Sequence, residues 1–337
     1  MARDRAVWTR RQFVQGSLAL ASLGLLAGCG VLPVPWQPPP KVPRIGFLGF
    51  GTWTSSAPFR AALSHGLREL GYVEGQNIVI EHRLADGRLE RLSDLAAELA
   101  ALNPDVILAG NSDAIRALQH VSSTISIVFP ALQDPVENGL VASLARPGGN
   151  VTGLTITAGL EAAKRLELLK EVVPRMSRVA ILWDRYSVAR YRETVVAAQT
   201  LGVDYVPLEI RDSGDLETLL ASATTGGGDG LIVTGSFQIS ALEQHIVDIA
   251  ASNRLPAMYS IITAAPRGGL LAYAPSILEN YRRAATYVDK ILKGARPADL
   301  PIELPTVFDF IVNLRTAQTL GLTIPQAVLQ QATEVIQ

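Results

Sequence analysis

The chain has 337 residues, 48% of them hydrophobic and 18% charged, which is enough apolar material for two folded domains and excludes general disorder. Its 30 Lys and Arg residues balance 31 Asp and Glu residues, which argues against a nucleic-acid partner, because such a partner calls for a clustered basic surplus. A single cysteine excludes an internal disulfide.

Residues 1–28 have the pattern of a bacterial export signal. A basic start that includes Arg10 and Arg11 precedes a short apolar run over residues 17–27. That run is too short to cross a bilayer, which needs roughly 20 residues, and small residues end it as at a cleavage site. Residues 9–14 (TRRQFV) resemble a twin-arginine signal, although general secretion signals can also carry paired arginines.

The sole cysteine stands where a lipid anchor would be attached. The residues Leu-Ala-Gly before Cys29 complete a pattern that resembles a bacterial lipobox, in which the cysteine is lipidated and becomes the first residue of the mature chain. Two acyl chains are enough for stable anchoring. Residues 29–43 are rich in proline and predict an extended tether. We therefore expect an exported, extracytoplasmic protein that is anchored to the membrane by lipidated Cys29.

Beyond the tether, strands and helices alternate in two series. The first series predicts strand 44–49, helix 58–70, strand 77–81, helix 89–102, strand 105–109, helix 114–120 and strand 126–129. The second predicts helices at 161–173, 188–201, 215–223, 239–252, 281–293 and 316–320, and strands at 178–183, 203–210, 230–233, 256–259, 269–273 and 306–314. Continuous apolar strands between helices indicate parallel sheets covered on both faces. The predicted fold class is α/β, with two Rossmann-like lobes.

Three passages between the lobes are predicted, and they would make a multi-stranded hinge. Residues 148–153 (GGNVTG) mark the first passage, and Pro275 and Pro305 lie near the later ones. The N-terminal lobe would then comprise residues 44–153 plus about 275–303, and the C-terminal lobe residues 154–274 plus about 304–337.

Ligand-binding residues are predicted in the loops that follow the strands, because ligands of open parallel sheets bind beyond the carboxyl ends of the strands. In the first lobe these are Phe50, Thr52, Asn111, Ser112, Asp113, Gln133 and Asp134. In the second lobe they are Asp184, Tyr186, Thr234, Ser236, Ser260 and Tyr273. The alternative for the polar members is helix capping, and Asp134 before Pro135 predicts a cap with proline at the first helical position.

The sequence contains none of the common catalytic, metal-binding or nucleotide-binding motifs. Four histidines are scattered without metal-ligand spacing, and no Gly-x-Ser-x-Gly sequence occurs. Residues 46–51 hold three glycines after a strand but miss the spacing of a dinucleotide-binding loop. We expect no catalytic residue, no metal and no cofactor.

Five long segments carry a family resemblance: residues 66–78 (GLRELGYVEGQNI), 134–153, 164–174, 281–294 and 313–325. They resemble a family of bacterial ABC-transporter substrate-binding proteins related to tryptophan- and aromatic-amino-acid-binding proteins. The resemblance covers the chain beyond the tether. It implies a type I periplasmic-binding fold and the capture of a small solute, such as an amino acid or another small carboxylate or aromatic compound, for an ABC importer with its permease and ATPase.

The chain departs from its relatives in two loops. Gln133 stands where relatives often carry threonine before Asp-Pro, and Asp184-Arg185-Tyr186 replaces a small, asparagine-rich loop. The amino-acid specificity of the relatives therefore does not transfer directly. The alternative function is a ligand-sensing module for a membrane receptor, which would share the same fold. In either function the protein is expected to act as a monomer.

Overall fold

The computed structural model describes residues 41–157, 161–211 and 213–337. The predicted signal, Cys29 and nearly all of the tether lie outside these residues. Residues 43–337 cluster as one compact unit, which contains two β-sheets. The first sheet consists of β1 (Arg44–Gly49), β2 (Val79–Leu84), β3 (Val106–Ala109), β4 (Ser126–Leu132) and β5 (Val151–Thr155). Its strands lie in the order β2-β1-β3-β4-β5 and all pair in parallel.

The second sheet is larger and is mostly parallel. It consists of β6 (Arg178–Asp184), β7 (Asp204–Ile210), β8 (Gly230–Val233), β9 (Ala257–Tyr259), β10 (Leu271–Pro275), β11 (Phe308–Asn313) and β12 (Glu334–Ile336). The order is β12-β11-β10-β9-β8-β6-β7. The strand β11 pairs antiparallel with β10, whereas the sequence analysis expected only parallel strands. This pair is antiparallel because the chain leaves the second sheet at the carboxyl end of β10 and returns into β11 at that same end of the sheet.

Helices connect the strands and cover the sheets. Among the described residues they are α1 (Ala57–Glu69), α2 (Leu92–Ala101), α3 (Ser112–Val121), α4 (Glu161–Val172), α5 (Val188–Thr200), α6 (Leu216–Thr225), α7 (Phe237–Ala241), α8 (Glu243–Ser252), α9 (Ile277–Leu292), α10 (Leu314–Leu320) and α11 (Gln326–Leu329). The helix predicted over residues 239–252 is two helices, α7 and α8. The helix α9 follows β10 of the second sheet, yet it packs against α1 and β4 of the first lobe.

Alternating side chains along the central strands fill an apolar core on each face of both sheets. In β6, Ala180 and Leu182 belong to one buried cluster, and Val179 and Ile181 belong to another on the opposite face. The strands of the first sheet divide in the same way between two clusters. This is the arrangement expected of parallel sheets with helices on both faces, and it confirms the predicted two-lobe α/β fold.

Residues 148–153, the predicted first passage between the lobes, include the first half of strand β5. The strand β5 pairs with β4 at the edge of the first sheet, so the chain leaves that sheet only after Thr155. Gly153 explains why the strand was missed, since glycine weakens a strand pattern. Here its φ is 151°, and an added Cβ would lie 2.0 Å from the carbonyl oxygen of Phe129, so the close approach of the two strands requires glycine.

Candidate solute-binding cleft

The loops at the carboxyl ends of the two sheets meet. Asp134 follows β4 in the first lobe, and Arg190 lies in the first turn of α5 in the second lobe. The Nη1 atom of Arg190 donates to the carbonyl oxygen of Gly235, which follows β8, at 3.0 Å. Its Nη2 atom lies 3.4 Å from Oδ2 of Asp134. One arginine therefore contacts the strand-end loops of both lobes, which places a cleft where ligands of open α/β sheets bind.

A cavity of about 150 Å³ lies on the first-lobe side, beyond the ends of β1 and β3. The side chains of Phe47, Phe50, Phe59 and Tyr281 line it. The rings of Phe59 and Tyr281 stack with their centroids 4.9 Å apart. Asn111 adds a polar group to this aromatic lining. A mostly apolar cavity with a few polar groups is the usual character of a small-molecule site.

Two of the residues predicted in the first lobe, Phe50 and Asn111, line this cavity. Asn111 is also the N-cap of α3, because its Oδ1 atom accepts a hydrogen bond from the backbone N–H of Ala114 at 2.7 Å. Its amide nitrogen donates no hydrogen bond within the described residues. Capping and ligand contact are therefore compatible at this position, since the cap uses the oxygen and leaves the nitrogen available.

Four other first-lobe candidates do not line this cavity. Thr52 is exposed and its hydroxyl bonds to that of Ser55 at 3.2 Å, within the loop after β1. Ser112 and Asp113 open α3, and Gln133 lies half-buried after β4. Ligand contact by these four candidates stays a prediction.

Asp134 does not cap a helix, contrary to the sequence-based interpretation. Residues 135–139 form turns, and the φ of Asp134 is 44°, in the left-handed region that aspartate tolerates better than most residues. The carbonyl oxygen of Asp134 accepts a hydrogen bond from the N–H of Asn138 at 2.9 Å. This turn directs the carboxylate of Asp134 toward Arg190 in the other lobe.

In the second lobe, three predicted residues form one buried hydrogen-bonded group with Ser187. Asp184, which is 0% exposed, accepts hydrogen bonds from the hydroxyls of Ser236 at 2.6 Å and Ser187 at 2.8 Å. Thr234 donates to the carbonyl oxygen of Leu182 at 2.9 Å and lies 3.0 Å from the Ser187 hydroxyl. Because these polar atoms already have partners, the group holds the loops after β6 and β8 together. Its role in ligand contact stays a prediction.

The remaining candidates differ in how much of the side chain is available. Tyr186 is 60% exposed, and the guanidinium of Arg185 lies 4.7 Å from its ring centroid. Ser260 donates to the carbonyl oxygen of Val233 at 2.8 Å. Tyr273 stacks on Phe308 with centroids 5.3 Å apart. Both tyrosine rings therefore have a neighbour on one face, and their predicted role as aromatic walls for the ligand stays a prediction.

Sequence reasoning missed Arg165, a buried arginine in α4. It is 7% exposed, and its Nε atom donates to the carbonyl oxygen of Tyr273 at 2.8 Å. Its two terminal nitrogens have no acceptor among the described residues, and the guanidinium forms no ion pair there. Burial lowers the pKa of Arg165 to about 10. The negative charge of nearby Glu161 opposes this shift. The terminal nitrogens of Arg165 still have hydrogen-bonding capacity that a ligand could use.

Two glutamates accompany Arg165 near the junction of the lobes. Glu161 precedes it by one helical turn and is buried. Glu193, one turn after Arg190 in α5, has no hydrogen-bond partner within the described segments. Burial and then the negative charge of Glu161 raise the pKa of Glu193. The i, i+4 spacing of Glu161 and Arg165 is typical of an ion pair on an exposed helix face. The sequence alone therefore gave no indication that the two residues are buried.

A sequence model of the family described as ABC transporter substrate binding protein matches residues 55–336. The chain belongs to this family. Such substrate-binding proteins serve transporters and are not enzymes, which confirms the expectation drawn from the missing catalytic patterns. They act outside the cytoplasm. Within residues 41–157, 161–211 and 213–337, no helix of this substrate-binding protein is long and apolar enough to cross a membrane.

Individual relatives agree with the family. A tyrosine-binding protein of Clostridioides difficile is 24% identical over 259 residues, which cover 76% of this chain and 74% of the relative. A ligand-free, open substrate-binding protein with adhesive properties from Clostridium difficile has a TM-score of 0.77 at 23% identity, over 88% of this chain and 99% of the other. A domain from Streptococcus pneumonia in complex with L-Trp has a TM-score of 0.73 at 24% identity, over 88% and 100%. These two structures share the fold of this substrate-binding protein, which is the predicted periplasmic-binding fold.

Proposed function

We propose that this substrate-binding protein is an extracytoplasmic lipoprotein, anchored through Cys29, that captures a small solute for an ABC importer. The solute would be an amino acid or another small carboxylate or aromatic compound. The observation that carries the proposal is the aromatic cavity of about 150 Å³ beside the loops where the two sheets meet. The names of the relatives, which bind tyrosine and L-Trp, support an amino-acid ligand.

Each lobe contributes a different part of the proposed site. The cavity of the first lobe would hold an apolar or aromatic group of the solute. Arg165 in the second lobe would hold its carboxylate, because its terminal nitrogens have no acceptor among the described residues and a charge-assisted hydrogen bond to a carboxylate is strong. Together, the cavity and Arg165 would match a small carboxylate that carries an apolar or aromatic group, such as an amino acid.

Closure of the lobes would couple binding to transport. A solute that contacts both lobes favours the closed form over the open one, and only a difference in affinity between the two forms can shift that equilibrium. The proposed lobes are residues 44–153 with about 275–303 and residues 154–274 with about 304–337, adjusted so that all of β5 belongs to the first lobe. We propose that one monomer docks on the permease in its closed form.

The decisive experiment identifies the solute. The mature protein is purified without unfolding, native mass spectrometry tests for a co-purified compound, and calorimetry tests the twenty common amino acids. We expect one-to-one binding of at least one of them. The comparison variant is Gly110→Ala, which should bind the solute more weakly, because an added Cβ would lie 2.9 Å from the Tyr281 hydroxyl and narrow the cavity. Wild-type protein that neither carries a compound nor binds any amino acid would contradict the proposal, as would unchanged binding by Gly110→Ala.

A further inference from the structure

Tyr281 in α9 places a phenolic hydroxyl at the aromatic cavity of the first lobe. The residue is only 7% exposed, it lines the cavity, and its hydroxyl forms no hydrogen bond within the described part of the chain. The hydroxyl points toward Gly110, where an added Cβ would lie 2.9 Å away. A buried hydroxyl normally finds a partner, because leaving it unpaired in an apolar setting costs free energy.

A second tyrosine of the same helix shows the usual solution. Tyr287 is 1% exposed, and its hydroxyl donates to the carbonyl oxygen of Pro301 at 2.6 Å. The two residues have similar burial on one helix, but only Tyr281 faces a cavity. The missing partner of Tyr281 is therefore best supplied by whatever enters that cavity.

The size and lining of the cavity limit what can enter. A volume of about 150 Å³ is of the order that holds one benzene ring in an engineered apolar cavity. The rings of Phe47 and Phe59 provide apolar walls beside Tyr281. The unengaged amide nitrogen of Asn111 is a second donor at the same cavity. The cavity therefore has room for a single six-membered ring that carries a polar tip.

We propose that Tyr281 recognises a hydrogen-bonding group at the far end of a single-ring substrate, as in a phenol. This inference rests on the proposed function, and it adds that the protein selects a hydroxylated ring over a plain one. Burial raises the pKa of Tyr281, so the phenol stays protonated and can donate to the ligand oxygen as well as accept from it. A site built to pair a ligand hydroxyl discriminates against the analogue that lacks it.

The test compares Tyr281→Phe with the matched control Tyr287→Phe, using L-tyrosine, L-phenylalanine and L-tryptophan in calorimetry. We expect the wild-type protein to bind L-tyrosine about tenfold more tightly than L-phenylalanine, and L-tryptophan more weakly than L-tyrosine. In Tyr281→Phe the ratio should fall to about one, through a loss of affinity for L-tyrosine alone. Tyr287→Phe should keep the wild-type ratio while its unfolding temperature falls. An unchanged ratio in Tyr281→Phe, or an equal loss for both amino acids, would overturn the proposal.

A cavity probe separates this proposal from the proposed function. If no amino acid binds, the proposed ligand class is wrong, but the role of Tyr281 is still decided by phenol and toluene in ligand-observed NMR. Phenol should bind the wild-type protein more tightly than toluene, and Tyr281→Phe should remove that difference. Equal binding of phenol and toluene by the wild-type protein would refute the proposal that the Tyr281 hydroxyl recognises a hydroxyl group of the ligand.

Discussion

Arg190 and Asp134 form an ion pair between the two lobes, with Nη2 and Oδ2 3.4 Å apart. The pair is mostly shielded from solvent, since the side chains are 14% and 26% exposed. A hydrogen bond from Nη1 of Arg190 to the carbonyl oxygen of Gly235, in the same lobe, holds the guanidinium in place. The left-handed turn at Asp134 aims the carboxylate from the other side. The contact can therefore form only when the two loops are close, so it favours the arrangement in which they meet.

Removing this ion pair should loosen the closed arrangement. Asp134→Asn is the cleanest change, because asparagine tolerates the left-handed backbone and has similar size. A partly exposed pair contributes about 0.2–1 kcal/mol, so we expect the Kd of the solute to rise about 1.5- to 5-fold. Small-angle scattering should show a larger radius of gyration without ligand. Glu137→Gln removes a carboxylate from the same loop and should change neither the Kd nor the radius of gyration. If its effect equals that of Asp134→Asn, the cause is the change in net charge and not the loss of the ion pair.

Arg165→Gln should separate ligand binding from stability. The substitution removes the desolvation cost of a buried guanidinium together with its hydrogen bond to Tyr273 and its attraction to Glu161, so the free energy of unfolding should change little. The affinity for a carboxylate solute should fall at least about tenfold, because a charge-assisted hydrogen bond is lost. Urea unfolding and calorimetry measure the two effects, with exposed Arg175→Gln as the control. A loss of stability with unchanged affinity would show that Arg165 is structural.

The raised pKa of Glu193 predicts a pH-dependent stability difference. The folded protein holds this proton more tightly than the unfolded chain, whose ordinary glutamate pKa is 4.5. Stability is therefore complete below that value and is lost as the pH rises through the raised pKa. Glu193→Gln should match the wild-type unfolding temperature near pH 4 and exceed it at pH 7. Calorimetric scans at each pH check this, with exposed Glu217→Gln as a control; a variant that is less stable at pH 7 would contradict it.

Asp184→Ala should destabilise the second lobe. It would remove the buried carboxylate that accepts from the hydroxyls of Ser187 and Ser236 and from the backbone N–H of Tyr186, which costs about 2–4 kcal/mol in the free energy of unfolding. Ser112→Ala should change it by less than about 0.5 kcal/mol, because Ser112 makes no side-chain hydrogen bond among the residues described. Chemical unfolding of both variants measures the difference. Equal stability of the two would mean that the buried group around Asp184 does not hold its loops.

Cys29→Ser tests the proposed anchor. Without the thiol no acyl chain can be attached, and the apolar anchoring energy of two chains is lost. We expect the protein to move from the membrane fraction to the soluble extracytoplasmic fraction while its solute affinity stays unchanged. Fractionation followed by immunoblotting measures the shift. A variant that remains in the membrane fraction would show that another feature anchors the chain.

Much of the fold followed from local patterns. The strand predicted at residues 44–49 is β1 without change, and the helix predicted at 188–201 is α5 to within one residue. Both are segments whose apolar spacing and flanking residues agree with one structure. The misses lie where tertiary contacts override the local pattern. The strand β5 contains Gly153, which only the close approach of Phe129 explains, and the turn at Asp134 looked like a cap because Asp-Pro often begins a helix.

The sequence by itself determined the two-lobe α/β fold and the family, because these depend on periodicity and on long stretches of similar residues. It also predicted a ligand site at the carboxyl ends of the strands. Only the tertiary structure decided which side chains have partners. Asp184 and Arg165 are both charged residues in the sequence, yet the fold surrounds Asp184 with hydroxyl donors, whereas buried Arg165 has one carbonyl acceptor for its Nε atom and none for its terminal nitrogens among the described residues. Burial and pairing arise from contacts between distant segments, and no local pattern records them.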